Sequence, residues 1–173
     1  IALLRESLAV REALDGPTST RVATAACNLG TALCGAGTPA DALPFLERGF
    51  RIRDITFGRL HPETVKALFN LTLVTRYALG SATVPELAAD LETRLAECTD
   101  IDARTRLAYG DGLLSMHFRG GEFQRIVQQG PALYAQCLEQ WPGDGGPTGR
   151  NVAKVIADAA AKVGDAATEA QWR

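Results

Sequence analysis

The chain has 173 residues, and 46% of them are apolar, enough to bury a continuous core, so the composition excludes a disordered chain. Its 18 basic and 20 acidic residues give a formal charge of −2, too weak to hold nucleic acid or an anionic membrane non-specifically. No apolar run in the sequence approaches the roughly 20 residues that cross a bilayer. We therefore expect neither nucleic acid nor a membrane as a partner.

The sequence contains a copy of itself. The segment that begins at Gly16 is echoed by the segment that begins at Gly58, a spacing of 42 residues. A repeat of this length is typical of a solenoid, in which each unit buries its apolar face only against its neighbours. Sliding the sequence by this spacing pairs identical residues: Leu4 with Leu46, Arg11 with Arg53, Ala25 with Ala67, Asn28 with Asn70 and Leu29 with Leu71.

The chain is predicted to be helical throughout. Apolar residues recur at helical spacing in nearly every segment, and no stretch alternates for long enough to predict a strand. Glycine and proline divide the pattern into antiparallel helix pairs. We predict breaks at residues 15–18, 35–39, 57–60, 80–84, 99–101, 120–121 and 141–149.

Several residues mark the ends of these helices. Thr18, Ser19 or Thr20 is expected to cap the second helix, and His61 with Pro62 opens the fourth. Two prolines conflict with the helical pattern, because a proline beyond the first turn removes a backbone donor. Pro44 should distort the start of the third helix, and Gly130-Pro131 should kink or split a later one.

The apolar stripes of these helices predict the core. Residues that recur at helical spacing on one side of each helix should lie buried between neighbouring helices. The predicted core comprises Leu29, Leu33, Ala42, Leu46, Phe50, Leu68, Leu71, Leu91 and Leu95.

The repeated residues resemble a known family. Asn28-Leu29-Gly30, followed by Leu33, Gly37, Ala42 and Leu46, resembles the tetratricopeptide repeat. The 42-residue period, together with the segments 51–54 and 57–64, is similar to the repeats of the kinesin light chain. The resemblance implies an all-α, right-handed α-solenoid of antiparallel helix pairs. We expect repeats over 1–140, clearest at 3–80 and degenerate after 84, a flexible break at 141–149 and a further helix pair at 150–173.

The resemblance also implies a binding surface. In the resembled family the first helix of each pair lines a concave groove, and an Asn just before the conserved Leu faces it. Asn28 and Asn70 occupy this position, where an amide can donate to and accept from a peptide backbone. The alternative is that these two Asn bond adjacent helices together. The full predicted surface comprises Thr24, Asn28, Thr31, Lys66 and Asn70, with Arg76 and Tyr77 near the end of the same helix.

The remaining polar residues favour structural interpretations. His61 suits the helix entry and His117 a buried position, while the four cysteines form no CxxC pair and predict buried, reduced thiols of a cytoplasmic protein. We expect no catalytic group, cofactor or metal. The arginines of the repeats are expected to be solvated or paired along helix faces rather than to bind an anion. These arginines are Arg5, Arg11, Arg48, Arg51 and Arg53, with Glu6, Glu12, Glu47 and Asp54 as their expected partners.

Together these features predict a non-enzymatic module for protein–protein interaction, which holds an extended peptide or a partner helix in a concave groove. The alternative is a regulatory or sensor segment of a larger signalling protein. The resemblance places such arrays beside nucleotide-binding ATPase regulators, protein kinases or caspase-like proteases. A chain that starts at Ile1 within a helical pattern supports this second expectation.

Overall fold

In the computed structural model the predicted all-α class is confirmed. The structure describes residues 1–80 and 84–173, and the predicted break at 80–84 lies partly outside them. This part of the chain forms nine α-helices, and within each of the two units described below helices that follow one another in sequence pack together. They are α1 (Ala2–Asp15), α2 (Thr20–Gly35), α3 (Pro39–Phe57), α4 (Pro62–Leu79), α5 (Pro85–Glu97), α6 (Ala103–Gly120), α7 (Phe123–Gln140), α8 (Gly146–Val163) and α9 (Ala166–Trp172).

The helices form two compact units. The first unit spans Ile1–Asp100, where α2 packs against α1 and α3, and α4 packs against α3 and α5. The second unit spans Ile101–Arg173, where α7 and α8 form the largest interface. The sequence-based bounds 1–140, 141–149 and 150–173 remain a prediction.

Helices α2 and α4 begin at polar caps. The Ser19 hydroxyl accepts a hydrogen bond from the Val22 N–H at 3.2 Å, which selects Ser19 among the three candidate caps. His61 Nδ1 accepts from the Glu63 N–H at 3.1 Å, and its ring stacks on Phe57. These caps satisfy backbone donors that have no partner within the helix. The expected place of His61 at the helix entry is thus confirmed.

Helices α2 and α3 approach each other closely at two glycines. A Cβ atom on Gly30 would lie 2.6 Å from Cγ of Leu46, and one on Gly49 would lie 2.3 Å from Sγ of Cys27. Any side chain at either position would therefore push the two helices apart. The largest helix interface of the first unit depends on these two missing side chains.

The predicted core is confirmed at every position but one. Eight of the nine predicted residues are buried, and Phe50 is half-buried. Phe50 packs against the buried cluster, and the Arg94 guanidinium lies 5.2 Å from the centre of its ring, so a cation also contacts this aromatic side chain. Arg94 is itself held by carboxylates, 2.5 Å from Asp54 and 2.9 Å from Asp90.

The prolines are accommodated within continuous helices. Helix α3 passes through Pro44 and α7 passes through Pro131. Of the kink or split predicted for α7, the split is wrong, and the kink stays a prediction. The absence of a side chain at Gly130 leaves room for Ile156, so α8 packs directly against this part of α7.

The second unit has its own core, with Ile126, Cys137 and Ile156 fully buried between α7 and α8. Helix α8 begins at Gly146, within the segment 141–149 for which the composition predicts a break. Asp144 accepts a hydrogen bond from the Gly146 N–H at 2.9 Å and fixes this start. No helix in either described range is long and apolar enough to cross a membrane.

Leu71 tests the register of the first unit. Replacing Leu71, which is 5% exposed, by Ala should lower the free energy of unfolding by about 2 to 5 kcal/mol, because burial is lost and a cavity remains. Leu79→Ala is the matched control on the same helix: its side chain is 57% exposed, so the change should stay within about 0.5 kcal/mol. Urea unfolding measures both, and equal effects would contradict the register.

Candidate functional site

The predicted binding residues of α2 and α4 lie on neighbouring helices. Thr24, Asn28 and Thr31 are exposed along one side of α2. On α4, Lys66 is exposed and Asn70 is half-buried. The opposite side of α2 carries Gly30 and packs on α3. We call these five residues, Thr24, Asn28, Thr31, Lys66 and Asn70, the α2–α4 face.

Local bonds orient the hydroxyls of this face. Thr24 donates to the Thr20 carbonyl at 3.0 Å, and Thr31 donates to the Cys27 carbonyl at 2.9 Å. Because each hydroxyl hydrogen is used within the helix, what these hydroxyls offer a ligand is acceptor capacity. The Lys66 ammonium lies 4.0 Å from the carboxylate of Glu63, a contact of little energetic weight at an exposed site.

Among the described residues, the side-chain amides of Asn28 and Asn70 lack the helix-to-helix hydrogen bond that Asp111, at a similar position of the second unit, makes. Within residues 1–80 and 84–173, the side-chain amides of Asn28 and Asn70 make no hydrogen bond to another protein group. Asn70 lies nine residues after His61, the N-cap of α4, and Asp111 lies nine residues after Asp102, the N-cap of α6. Its carboxylate accepts from the Asn151 amide on α8 at 2.5 Å. Helix-to-helix bonding, the alternative role for the Asn positions, is thus realised in the second unit by Asp111.

A cavity of about 360 Å³ opens beside the α2–α4 face. Thr24 and Asn28 are the two predicted site residues in its wall. Its other lining residues are mostly polar and come from α1 to α4. They are Ser7, Arg11, Thr20, Arg21, Ala25, Arg53, Phe57 and Glu63, and we call this space the arginine cavity.

Arg53 forms the buried wall of the arginine cavity. It is 6% exposed, which corrects the expectation of a solvated arginine paired with Asp54. Its guanidinium donates to Cys27 Sγ at 3.2 Å and to Thr24 Oγ1 at 3.3 Å, and it lies 3.2 Å from the Glu63 carboxylate. Burial raises the pKa of the Cys27 thiol, so this sulfur is a neutral acceptor and not a reactive thiolate.

Arg11 and Arg21 share a single carboxylate. Asp15 lies 3.1 Å from the Arg21 guanidinium and 3.6 Å from that of Arg11. Arg11 and Arg21 both line the cavity, so two arginines of the cavity wall depend on one carboxylate. Sequence reasoning missed Arg21, although the repeat register held the signal, since Arg21 aligns with Glu63.

The remaining predicted residues lie elsewhere on α4. The Arg76 guanidinium stands 5.5 Å from the centre of the Tyr77 ring, and Tyr77 is 51% exposed. Together they present a cation and an aromatic surface near the C-terminal end of the helix. The predicted burial of His117 is confirmed: it is 2% exposed, and its Nδ1 lies 3.2 Å from the Glu122 carboxylate. Among the described residues no group of three His, Cys, Asp or Glu side chains is arranged to hold a metal.

Comparison with known structures identifies the architecture. The chain superposes on two crystal structures of a Podosopora anserina protein that is described as a kinesin light chain with nearly identical TPR-like repeats, the second of them with one substitution. The TM-scores are 0.83 and 0.84 at 17% sequence identity, and the match covers 99% of this chain and 81% and 80% of those chains. No protein-family model and no curated protein sequence matches the chain. At this identity the likeness shows the fold alone, a tetratricopeptide-like repeat, as the sequence predicts.

Asp111 yields a prediction about pH. Burial raises the pKa of this carboxyl in the folded chain, partly offset by the hydrogen bond from Asn151. The folded state therefore binds the Asp111 proton more tightly than the unfolded state does. This contribution to stability is complete below the ordinary carboxyl pKa and is lost as pH rises through the raised value.

Asp111→Asn removes this titration and keeps an oxygen for Asn151. The stability of the variant relative to the native chain should therefore be greater at neutral pH than at about pH 3. Urea unfolding at the two pH values measures the difference, and Glu139→Gln, at an exposed position of α7, is the control. If the difference in unfolding free energy between Asp111→Asn and the native chain is the same at both pH values, the prediction is wrong.

Proposed function

We propose that the chain is a protein–protein interaction module that holds an extended peptide segment on the α2–α4 face. One observation carries the proposal: the Asn28 and Asn70 amides, at equivalent repeat positions on neighbouring helices, make no hydrogen bond within the described residues. Each amide can donate to a carbonyl and accept from an N–H of the same backbone. Two such amides at repeat spacing match the regular polar groups of an extended chain.

The surroundings of the two amides suit a peptide with acidic groups. Lys66 and the arginine cavity place positive charge on this side of the first unit. Arg76 and Tyr77 extend the surface toward the end of α4 with a cation and an aromatic ring. Charges of this sign favour encounter with an acidic segment and fix its direction.

The absence of a catalytic constellation among the described residues agrees with a binding role. Both histidines have structural contacts: His61 caps a helix, and His117 lies against the Glu122 carboxylate. The buried thiols Cys27, Cys98 and Cys137 support a reducing compartment such as the cytoplasm. A regulatory segment of a larger signalling protein would use the same face, because such a segment also acts by binding peptides.

The Asn pair gives the test of this proposal. Partners are captured with the chain from lysate of its source cell, identified by mass spectrometry, and their affinity is then measured by calorimetry. Replacing both Asn28 and Asn70 by Ala should weaken binding by about 1 to 3 kcal/mol in total, because two amide contacts are lost. The unfolding midpoint should stay unchanged, since neither amide has a protein partner in the described chain.

The control removes two amides elsewhere. Gln128→Ala with Gln136→Ala deletes exposed amides from α7 and should leave the affinity unchanged. Full affinity in the Asn28/Asn70 variant would refute the proposal. Unfolding of that variant would show instead that the two Asn hold the helices together.

A further inference from the structure

The two repeat copies differ in charge at the arginine cavity. In the second copy Arg53 lies 3.2 Å from Glu63, a matched ion pair. In the first copy the equivalent residues are Arg11 and Arg21, two cations. The single carboxylate of Asp15 serves them both. One substitution in the repeat pattern thus replaces a matched pair by an excess of positive charge.

The charges around the arginine cavity do not balance. Three arginines, Arg11, Arg21 and Arg53, line it, and Glu63 is its one acidic lining residue. With Asp15 included, the site retains one uncompensated positive charge. Two arginines of the second unit, by contrast, have carboxylates of their own: Arg150 pairs with Asp144, and Arg173 pairs with Asp158 and Glu169.

The donors of the cavity come from several directions. Arg11, Arg21 and Arg53 belong to three different helices, α1, α2 and α3. Ser7, Thr20 and the Asn28 amide add further polar groups to the wall. A carboxylate is planar and is satisfied by one bidentate arginine, whereas a phosphoryl group carries three terminal oxygens and up to two negative charges. The arrangement therefore fits a tetrahedral oxyanion better than a carboxylate.

We propose that the arginine cavity binds a phosphoryl group carried on a side chain of the peptide that the α2–α4 face holds. The proposal rests on the proposed function, because Asn28 belongs both to that face and to the cavity wall. A peptide backbone held at Asn28 is within side-chain reach of the cavity. Phosphorylation of the partner then controls its binding to the chain.

The role of each arginine follows from its burial. Arg53 is fixed by Thr24, Cys27 and Glu63, so it supplies a rigid donor at the cavity wall. The Arg21 side chain is 68% exposed and contacts only Asp15 among the described residues, so it is the donor that can move toward an incoming anion. Its exposure also makes it a safe position for substitution, because little packing is lost.

The experiment compares three blocked pentapeptides, acetyl-Gly-Ala-Xaa-Ala-Gly-amide, in which the central residue is phosphoserine, serine or glutamate. Their dissociation constants are measured by calorimetry at low ionic strength, where screening is weak. We expect the phosphoserine peptide to bind at least about tenfold more tightly than the other two, as charge-assisted hydrogen bonds to a phosphoryl group allow. Inorganic phosphate should compete, but with lower affinity than the phosphopeptide.

Variants locate the site. Arg21→Gln should weaken binding of the phosphoserine peptide about tenfold or more. Arg21→Lys keeps the charge but loses the paired N–H donors of the guanidinium, so its affinity for this peptide should lie between those of Arg21→Gln and the native chain. Arg51→Gln is the matched control, since it removes the same charge from an exposed position of α3 outside the cavity wall. Circular dichroism confirms that each variant is folded.

Each contrary result overturns a defined part of the proposal. If the glutamate peptide binds as tightly as the phosphoserine peptide, specificity for a phosphoryl group is refuted and the peptide-binding role is unaffected. Equal affinity for inorganic phosphate refutes a peptide-borne ligand. The cavity is refuted as the site if Arg21→Gln binds the phosphoserine peptide with native affinity, or if no phosphorylated probe binds at all. Whether the α2–α4 face holds a partner is decided separately, by the Asn28/Asn70 variant.

Discussion

The contact between α2 and α3 at Gly30 and Gly49 is the constraint on which the candidate site depends. Because neither position carries a side chain, Cys27 and Leu46 lie directly against the facing helix. This proximity brings Arg53 of α3 within hydrogen-bonding distance of α2. A wider separation would move its guanidinium away from Cys27, and the arginine cavity would lose its fixed wall. The close packing of α2 on α3 thus positions the Arg53 guanidinium, and it leaves the opposite, polar side of α2 facing solvent.

Comparing the two repeat copies distinguishes the positions at which packing fixes the residue type from the exposed positions at which the residue type can vary. Residues that fill the space between helices recur in both copies, as Leu29 and Leu71 do, because every copy needs the same volume filled. The exposed positions carry no such requirement, so Arg21 stands in one copy where Glu63 stands in the other. A difference between the copies at such a position, as at Arg21, is therefore not set by the packing of the helices.

The sequence predicted the helices and the core well, because both follow from local periodicity and from residues that stop helices. It predicted the α2–α4 face only through a resemblance, and it missed the arginine cavity. The burial of Arg53 depends on how closely α3 approaches α2, which no single-helix pattern contains. The bond between Asp111 and Asn151 joins two helices whose offset differs from the 42-residue register, so counting along the repeat could not find it. The early start of α8 depends on glycines in the left-handed backbone region, at Gly145 and Gly146, which composition marks only as flexible.

An oxyanion site formed by unbalanced charge in the first repeat copy can be detected by NMR. The arginine side-chain Nε–H signals are followed while the phosphoserine pentapeptide is added. The signals of Arg11, Arg21 and Arg53 should shift together along one saturable curve, while that of Arg51 stays in place. Shifts confined to arginines of the second unit, such as Arg150, or an unmoved Arg21 signal at saturation, would contradict the proposed site.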